Sequence, residues 1–237
     1  MRRSIWIVCL ALATPARADT AAAKKLNVQG MKKYAKKEYS AALELFEKAI
    51  AEDPSFVLAH YNAASMMSLN DDSAGALAEL EWLSKSTDPV AVKAMAKAPT
   101  DPDLERASMN VKVRALIELP AIESMDPGAV LLERTGSWGE DGSACATANL
   151  NVTFKKGGTF VAQSEWGCDE NDNVEHDKGK WTVVNGTLHL TGGKKLFESV
   201  DAHFGPCDDD KADDWCLVVT GADGNEHKLG RGQHQMF

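Results

Sequence analysis

Apolar residues between positions 21 and 119 recur at intervals of three and four, against a background of alanine, leucine, lysine and glutamate. This spacing predicts a run of amphipathic α-helices. After Pro120 the period changes: glycines, tryptophans and threonines separate short alternating runs, which predicts strands and tight turns. Asp126-Pro127-Gly128 is a turn signal between the two regimes. The chain therefore reads as an α + β two-domain protein, with a helical array over residues 19–119, a linker over 120–128 and an antiparallel β-domain over 129–237.

Within the helical part, Gly30, Tyr34, Tyr39, Ala42, Phe46, Ala49 and Pro54 stand at offsets suited to a helix–turn–helix unit. Small Gly30 and Ala42 let two helices approach, Phe46 fills the space between them, and Pro54 stops the second helix. A second unit from about Val57 carries Ala64, Ala76, Leu80 and Pro89 at nearly matching offsets, with Leu80 in place of the late aromatic. A third is degenerate: Val92 and Met95 suggest a short helix, and residues 104–119 a closing one. The pattern resembles the tetratricopeptide repeat, whose units bury their apolar faces only by stacking. The resemblance implies a concave groove for a protein or peptide partner, lined here by Asn27, Met31, Tyr34, Tyr61, Ser65 and Ser68. Asn62 is the one match to the lysine and asparagine set with which some such arrays grip a terminal carboxylate. Tyr34 and Tyr61 read equally well as packing residues, and Lys32, Lys33, Lys36 and Lys37 as a solvated face.

In the second half, residues 181–190 alternate around Asn185-Gly186, a dipeptide suited to a two-residue hairpin turn because both positions need positive φ. That turn sets Val183 opposite Leu188 and Trp181 opposite Leu190 on one face. A second hairpin spans residues 149–166 and turns near Lys156-Gly157-Gly158. With a turn centred on Lys156-Gly157, Cys145 and Cys168 fall opposite one another; a turn one residue longer displaces them by one. Gly136-Ser137-Trp138 opens this domain as the G-x-W signature opens lipocalins, and Phe154 to Phe160 resembles that family's phenylalanine–turn–phenylalanine hairpin. The resemblance implies an up-and-down antiparallel β-barrel in which Arg231, from the last strand, packs over Trp138. Its interior would be built from Leu150, Val152, Phe154, Phe160, Trp181, Val183, Leu188 and Leu190. These residues either surround a small apolar ligand or fill a solid core.

The first residues bear on compartment. Arg2 and Arg3 precede a short apolar run over residues 5–12, and Ala16-Arg17-Ala18 offers a cleavage pattern before Asp19. Residues 1–18 read as a secretory signal, which implies export to the periplasm or the extracellular space. The run is too short to be a permanent membrane span, and Cys9 inside it disfavours a lipid anchor. Loss of Arg2, Arg3 and Arg17 takes the formal charge from −9 to −12. A surface that acidic repels nucleic acids and anionic lipid. Four cysteines then remain, Cys145, Cys168, Cys207 and Cys216, all in the β-domain. An even count in an exported domain favours two disulfides, with Cys145–Cys168 and Cys207–Cys216 the preferred pairing.

Candidate chemistry is sparse. Asp169, Asn171, Asp172 and Asn173 begin like a calcium loop, but Val174 stands where glycine is needed and Lys180 where the closing glutamate belongs. Asp208, Asp209, Asp210, Asp213 and Asp214 have no ligand spacing, and the histidines lack zinc spacing. No phosphate loop, dinucleotide fingerprint or nucleophile elbow occurs. The sequence predicts a non-enzymatic exported adaptor without cofactor or metal, binding a protein or peptide through the helical groove. The alternative is a carrier of a small apolar ligand in the barrel.

Overall fold

A computed structural model of the chain describes residues 18–133, 136–139, 149–166, 173–193, 197–207, 213–220 and 224–231. Its helices are α1 (Thr20–Tyr34), α2 (Tyr39–Glu52), α3 (Val57–Leu69), α4 (Ser73–Ser84), α5 (Pro89–Lys97), α6 (Val111–Leu116) and α7 (Pro127–Leu132). Asp19, Asp72, Asp88 and Asn110 cap the starts of α1, α4, α5 and α6 with side-chain oxygens. Lys37 and Asp71 take φ of 62° and 64° at the turns within the first two hairpins.

The first two helix pairs pack as antiparallel hairpins because small residues sit where they cross. A Cβ on Gly30 would lie 2.5 Å from the Phe46 ring, so α1 and α2 could not keep this distance with any larger residue. Equivalent positions recur at 34-residue intervals. Gly30 and Ala64 are buried in α1 and α3 and Ala98 just past the end of α5, with Phe46 and Leu80 buried in α2 and α4. Continuing the series, Ala42 and Ala76 lead to Asn110, and Phe46 and Leu80 lead to Arg114; both polar residues are buried. The third unit is α5 and α6, joined by three 3-10 turns, Ala98–Thr100, Pro102–Leu104 and Ala107–Met109; α5 packs on α3 and α4, and α6 on α4. Pro99 and Pro102 prevent α5 from continuing.

The strands are β1 (Ser137–Gly139), β2 (Asn149–Lys155), β3 (Thr159–Trp166), β4 (Asn173–Val184), β5 (Thr187–Thr191), β6 (Ser199–Pro206), β7 (Trp215–Thr220) and β8 (Glu226–Arg231). They form a closed antiparallel barrel in sequence order, shut by the pairing of β1 with β8. Closure leaves no strand edge unpaired in the ring. Asn185 and Gly186 have φ of 52° and 80°, and Val183 faces Leu188 as the turn dipeptide predicts. The β2–β3 hairpin takes the longer of the two turns considered, pairing Lys155 with Thr159. Cys145 and Cys168 themselves lie outside the described residues, as do residues 1–17 of the signal.

Within the 120–128 segment, read from sequence as a linker, Ile122 and Gly128 are buried and Met125 is half-buried. Ile122 belongs to the barrel's hydrophobic cluster, as do Val130 and Leu131 of α7 and Met109 from the third 3-10 turn. Helix α7 lies at the end of the barrel where β4 turns into β5. There a Cβ on Gly128 would stand 3.0 Å from the Trp181 ring.

Candidate functional site

The first helices of the three pairs, α1, α3 and α5, lie side by side, with Asn62 Nδ2 donating to Asn27 Oδ1 at 2.8 Å between α1 and α3. One part of the face they make is filled by the chain itself. The 3-10 segment over residues 98–109 runs against α3, and Leu104 is fully buried there. Tyr34 Oη donates to Asp103 and Tyr61 Oη to Asp101, each at 2.8 Å, and Ala107 N donates to Ser68 Oγ at 3.1 Å. Lys97 Nζ donates to Asp101 at 2.7 Å and stands 5.7 Å from the Tyr61 ring centre. Ser65 is buried and bonds to the Tyr61 carbonyl.

Electrostatics follow from this packing. Burial, then the hydrogen bond and charge of Asp103, push the Tyr34 phenol up to about 12. Asp103 is raised by burial and by the neighbouring Asp101. Burial opposes ionisation of Asp101 too, but the Lys97 ammonium and the Tyr61 hydroxyl hold it below the usual carboxylate range.

The rest of the face is open. Met31 on α1, Leu58 on α3 and Val92 on α5 are 42%, 46% and 59% exposed. Leu58 precedes Asn62 by one turn and Met31 follows Asn27 by one turn, so the two apolar residues flank the asparagine pair. Of the groove residues named from sequence, Tyr34, Tyr61 and Ser68 thus serve the chain's own segment, Ser65 bonds within its own helix, Asn27 and Asn62 hold each other, and Met31 is exposed. Sequence reasoning missed Asp101 and Asp103 because nothing local marks a loop that folds back on a helix face.

In the barrel, Leu150, Val152, Phe154, Phe160, Leu188 and Leu190 are buried, and Trp181 and Val183 are half-buried against them. Ala162, Phe197, Ala202, Leu217, Val219 and Leu229 complete the cluster. The rings touch one another: Phe160 lies 5.8 Å from Phe197 and 6.1 Å from Phe154, and Trp138 lies 5.4 Å from Phe204. Ser164 and Asp177 are also buried, with the Phe197 amide donating to Asp177 at 3.4 Å. On the outer wall an open groove of about 590 Å³ runs between Val161, Lys178, Lys180 and Thr191.

A buried charge network joins the halves. The Arg231 guanidinium stacks 4.2 Å from the Trp138 ring centre and donates to the carbonyls of Val130, Leu131 and Glu133. It also lies 3.6 Å from the Glu133 carboxylate and 3.9 Å from Glu105 of the array. Arg114 grips Glu133 with two hydrogen bonds of 3.0 and 3.1 Å. Beside this network Asn110 Nδ2 donates to Asp214 at 2.6 Å, and Val111 N to the Asp213 carbonyl at 2.8 Å. A disulfide joins Cys207 to Cys216 across the mouth of this docking loop. Asp169, Asn171, Asp172 and residues 208–210 lie outside the described residues. Among the described residues no cluster of three His, Cys, Asp or Glu is arranged to hold a metal, and no helix is long and apolar enough to cross a membrane.

No family model matches the chain, and no curated protein or solved structure matches it.

Proposed function

We propose that this protein is an exported, non-enzymatic adaptor whose tetratricopeptide-type array takes up a segment of a partner protein, with a lipocalin-like barrel as its rigid base. One observation carries the reading: the first helices already hold a segment of the chain wound into three 3-10 turns over residues 98–109, and the adjoining part of the same face leaves Met31, Leu58 and Val92 exposed. Recurrence at 34 residues supports the repeat assignment. The Trp138–Arg231 stack supports the barrel's likeness to lipocalins. The rival, a carrier of an apolar molecule, is disfavoured by rings that pack on one another at the barrel centre, where such a ligand would sit. A photo-crosslinking residue at Leu58, with Val161 on the barrel wall as the comparison site, tests the proposal in envelope extract. A protein adduct specific to position 58 is expected. Adducts at neither position, together with saturable uptake of an apolar fluorophore, would reverse the order of the two readings.

A further inference from the structure

The charges on the helices are sorted by face. The first helices α1, α3 and α5 carry six lysines, Lys24, Lys25, Lys32, Lys33, Lys93 and Lys97, and no aspartate or glutamate. Of the second helices, α2 and α4 carry five glutamates and one lysine, whereas α6 carries Lys112 and Arg114, of which Arg114 is buried. This runs against the composition, since acidic residues outnumber basic ones 35 to 26. The segment that the face already holds is itself acidic: Asp101, Asp103 and Glu105 alternate with Pro102 and Leu104. Two of its carboxylates are met by tyrosine hydroxyls and one by Lys97, while Leu104 is buried beneath.

We infer that the partner segment taken by the open part of this face is a short acidic peptide with interspersed apolar residues, chemically like the chain's own residues 101–105. The inference rests on the adaptor reading and adds the partner's chemistry. Lys24 shares a helix face with Asn27 and Met31, and Lys93 with Lys97, by their spacing of three, four and seven. Both are exposed. They flank the apolar positions Met31, Leu58 and Val92. Carboxylates on a bound peptide would meet lysines there, and its leucine-like side chains would cover the exposed apolar groups. The glutamates of α2 and α4 repel the same peptide from the other side of the first two pairs, which steers it to one face.

The test uses the full mature chain and three short fluorescein-labelled peptides that alternate leucine with aspartate, serine or lysine. Binding is read by fluorescence anisotropy at about 0.05 and about 0.5 M NaCl. The aspartate peptide should bind at least about tenfold more tightly than the serine peptide, and weaken about tenfold in the higher salt or on Lys24→Glu with Lys93→Glu. Leu58→Ser should weaken it at both salt levels, and circular dichroism checks that each variant is folded. Serine or lysine peptides that bind as well, with Leu58→Ser still weakening them, would overturn the acidic assignment and leave the adaptor reading intact. Binding of the aspartate peptide that ignores Leu58→Ser would place it elsewhere and overturn the inference. Binding of none of the three, with no adduct at position 58, would overturn both.

Discussion

Trp138 and Arg231 are paired across the β1–β8 ladder, and the guanidinium carbon stands 4.2 Å from the centre of the indole ring. The two residues are at opposite ends of the barrel sequence, so their contact closes the ring. The same guanidinium reaches the carbonyls at the end of α7 and the carboxylates of Glu133 and Glu105. Barrel closure and attachment of the helical array therefore run through one side chain.

Removing that side chain should be costly. Arg231→Met takes the guanidinium from Glu105 and leaves Glu133 with Arg114 alone, and breaking a buried pair from one side costs about 3–5 kcal/mol. Arg231→Lys should recover only part of this, since an ammonium can neither stack flat on Trp138 nor donate along the same fork. Urea unfolding followed by tryptophan fluorescence measures both. A loss under about 1 kcal/mol for the methionine variant would contradict a junction role.

Two neighbouring contacts to the docking loop should behave differently. Asn110 is buried, caps α6 and donates to Asp214. Asn110→Ala should cost about 1–3 kcal/mol. Lys112 pairs with Asp213 at 2.5 Å but is 60% exposed, so Lys112→Ala should change stability by about 0–1 kcal/mol. Equal effects from the two variants would show that burial does not set their contributions.

The Cys207–Cys216 bond closes a loop of sequence separation 9 that contacts the array through Asp213 and Asp214. Cys207→Ser with Cys216→Ser should lower stability by about 2–4 kcal/mol. It should also speed amide exchange at Val111, whose N–H is bonded to the Asp213 carbonyl. Exchange at Ala49, within α2, is the internal reference. Parallel acceleration at both sites would indicate global loosening rather than release of the docking loop.

The Tyr34 phenol is raised to about 12 by burial and by Asp103. A raised folded-state value means that the folded chain holds this proton more tightly than the unfolded one. The contribution is therefore present in full below the ordinary tyrosine range near 10 and is lost as pH rises from there through about 12. A spectrophotometric titration of tyrosinate should lose its component near pH 12 in Tyr34→Phe. The same variant gives up the hydrogen bond to Asp103, at about 1 kcal/mol near neutral pH. An unchanged high-pH component would place the late-titrating phenol elsewhere.

The local pattern was enough for much of the architecture. Spacings of three and four marked the helices, Gly30 and Phe46 marked how the first pair packs, and Asn185-Gly186 set the register of β4 with β5. These features depend on neighbours in sequence, and backbone sterics at a positive-φ turn or a helix crossing leave few alternatives. The Trp138–Arg231 contact was legible only through a resemblance, since its partners are 93 residues apart.

Other features were decided by the assembled fold. Nothing near Asp101 or Asp103 indicates that they meet Tyr61 and Tyr34, and the segment that carries them looks in sequence like an ordinary loop. Arg114 occupies a position where the preceding units have Phe46 and Leu80, and its bonds to Glu133 and to the carbonyls of Ser108 and Pro120 explain a buried cation there. The 120–128 stretch has turn chemistry, yet Ile122 is buried because the barrel end needs apolar cover. Helices, turns and strand phase follow from interactions within a few residues, whereas burial and charge pairing depend on which distant surfaces exclude water together.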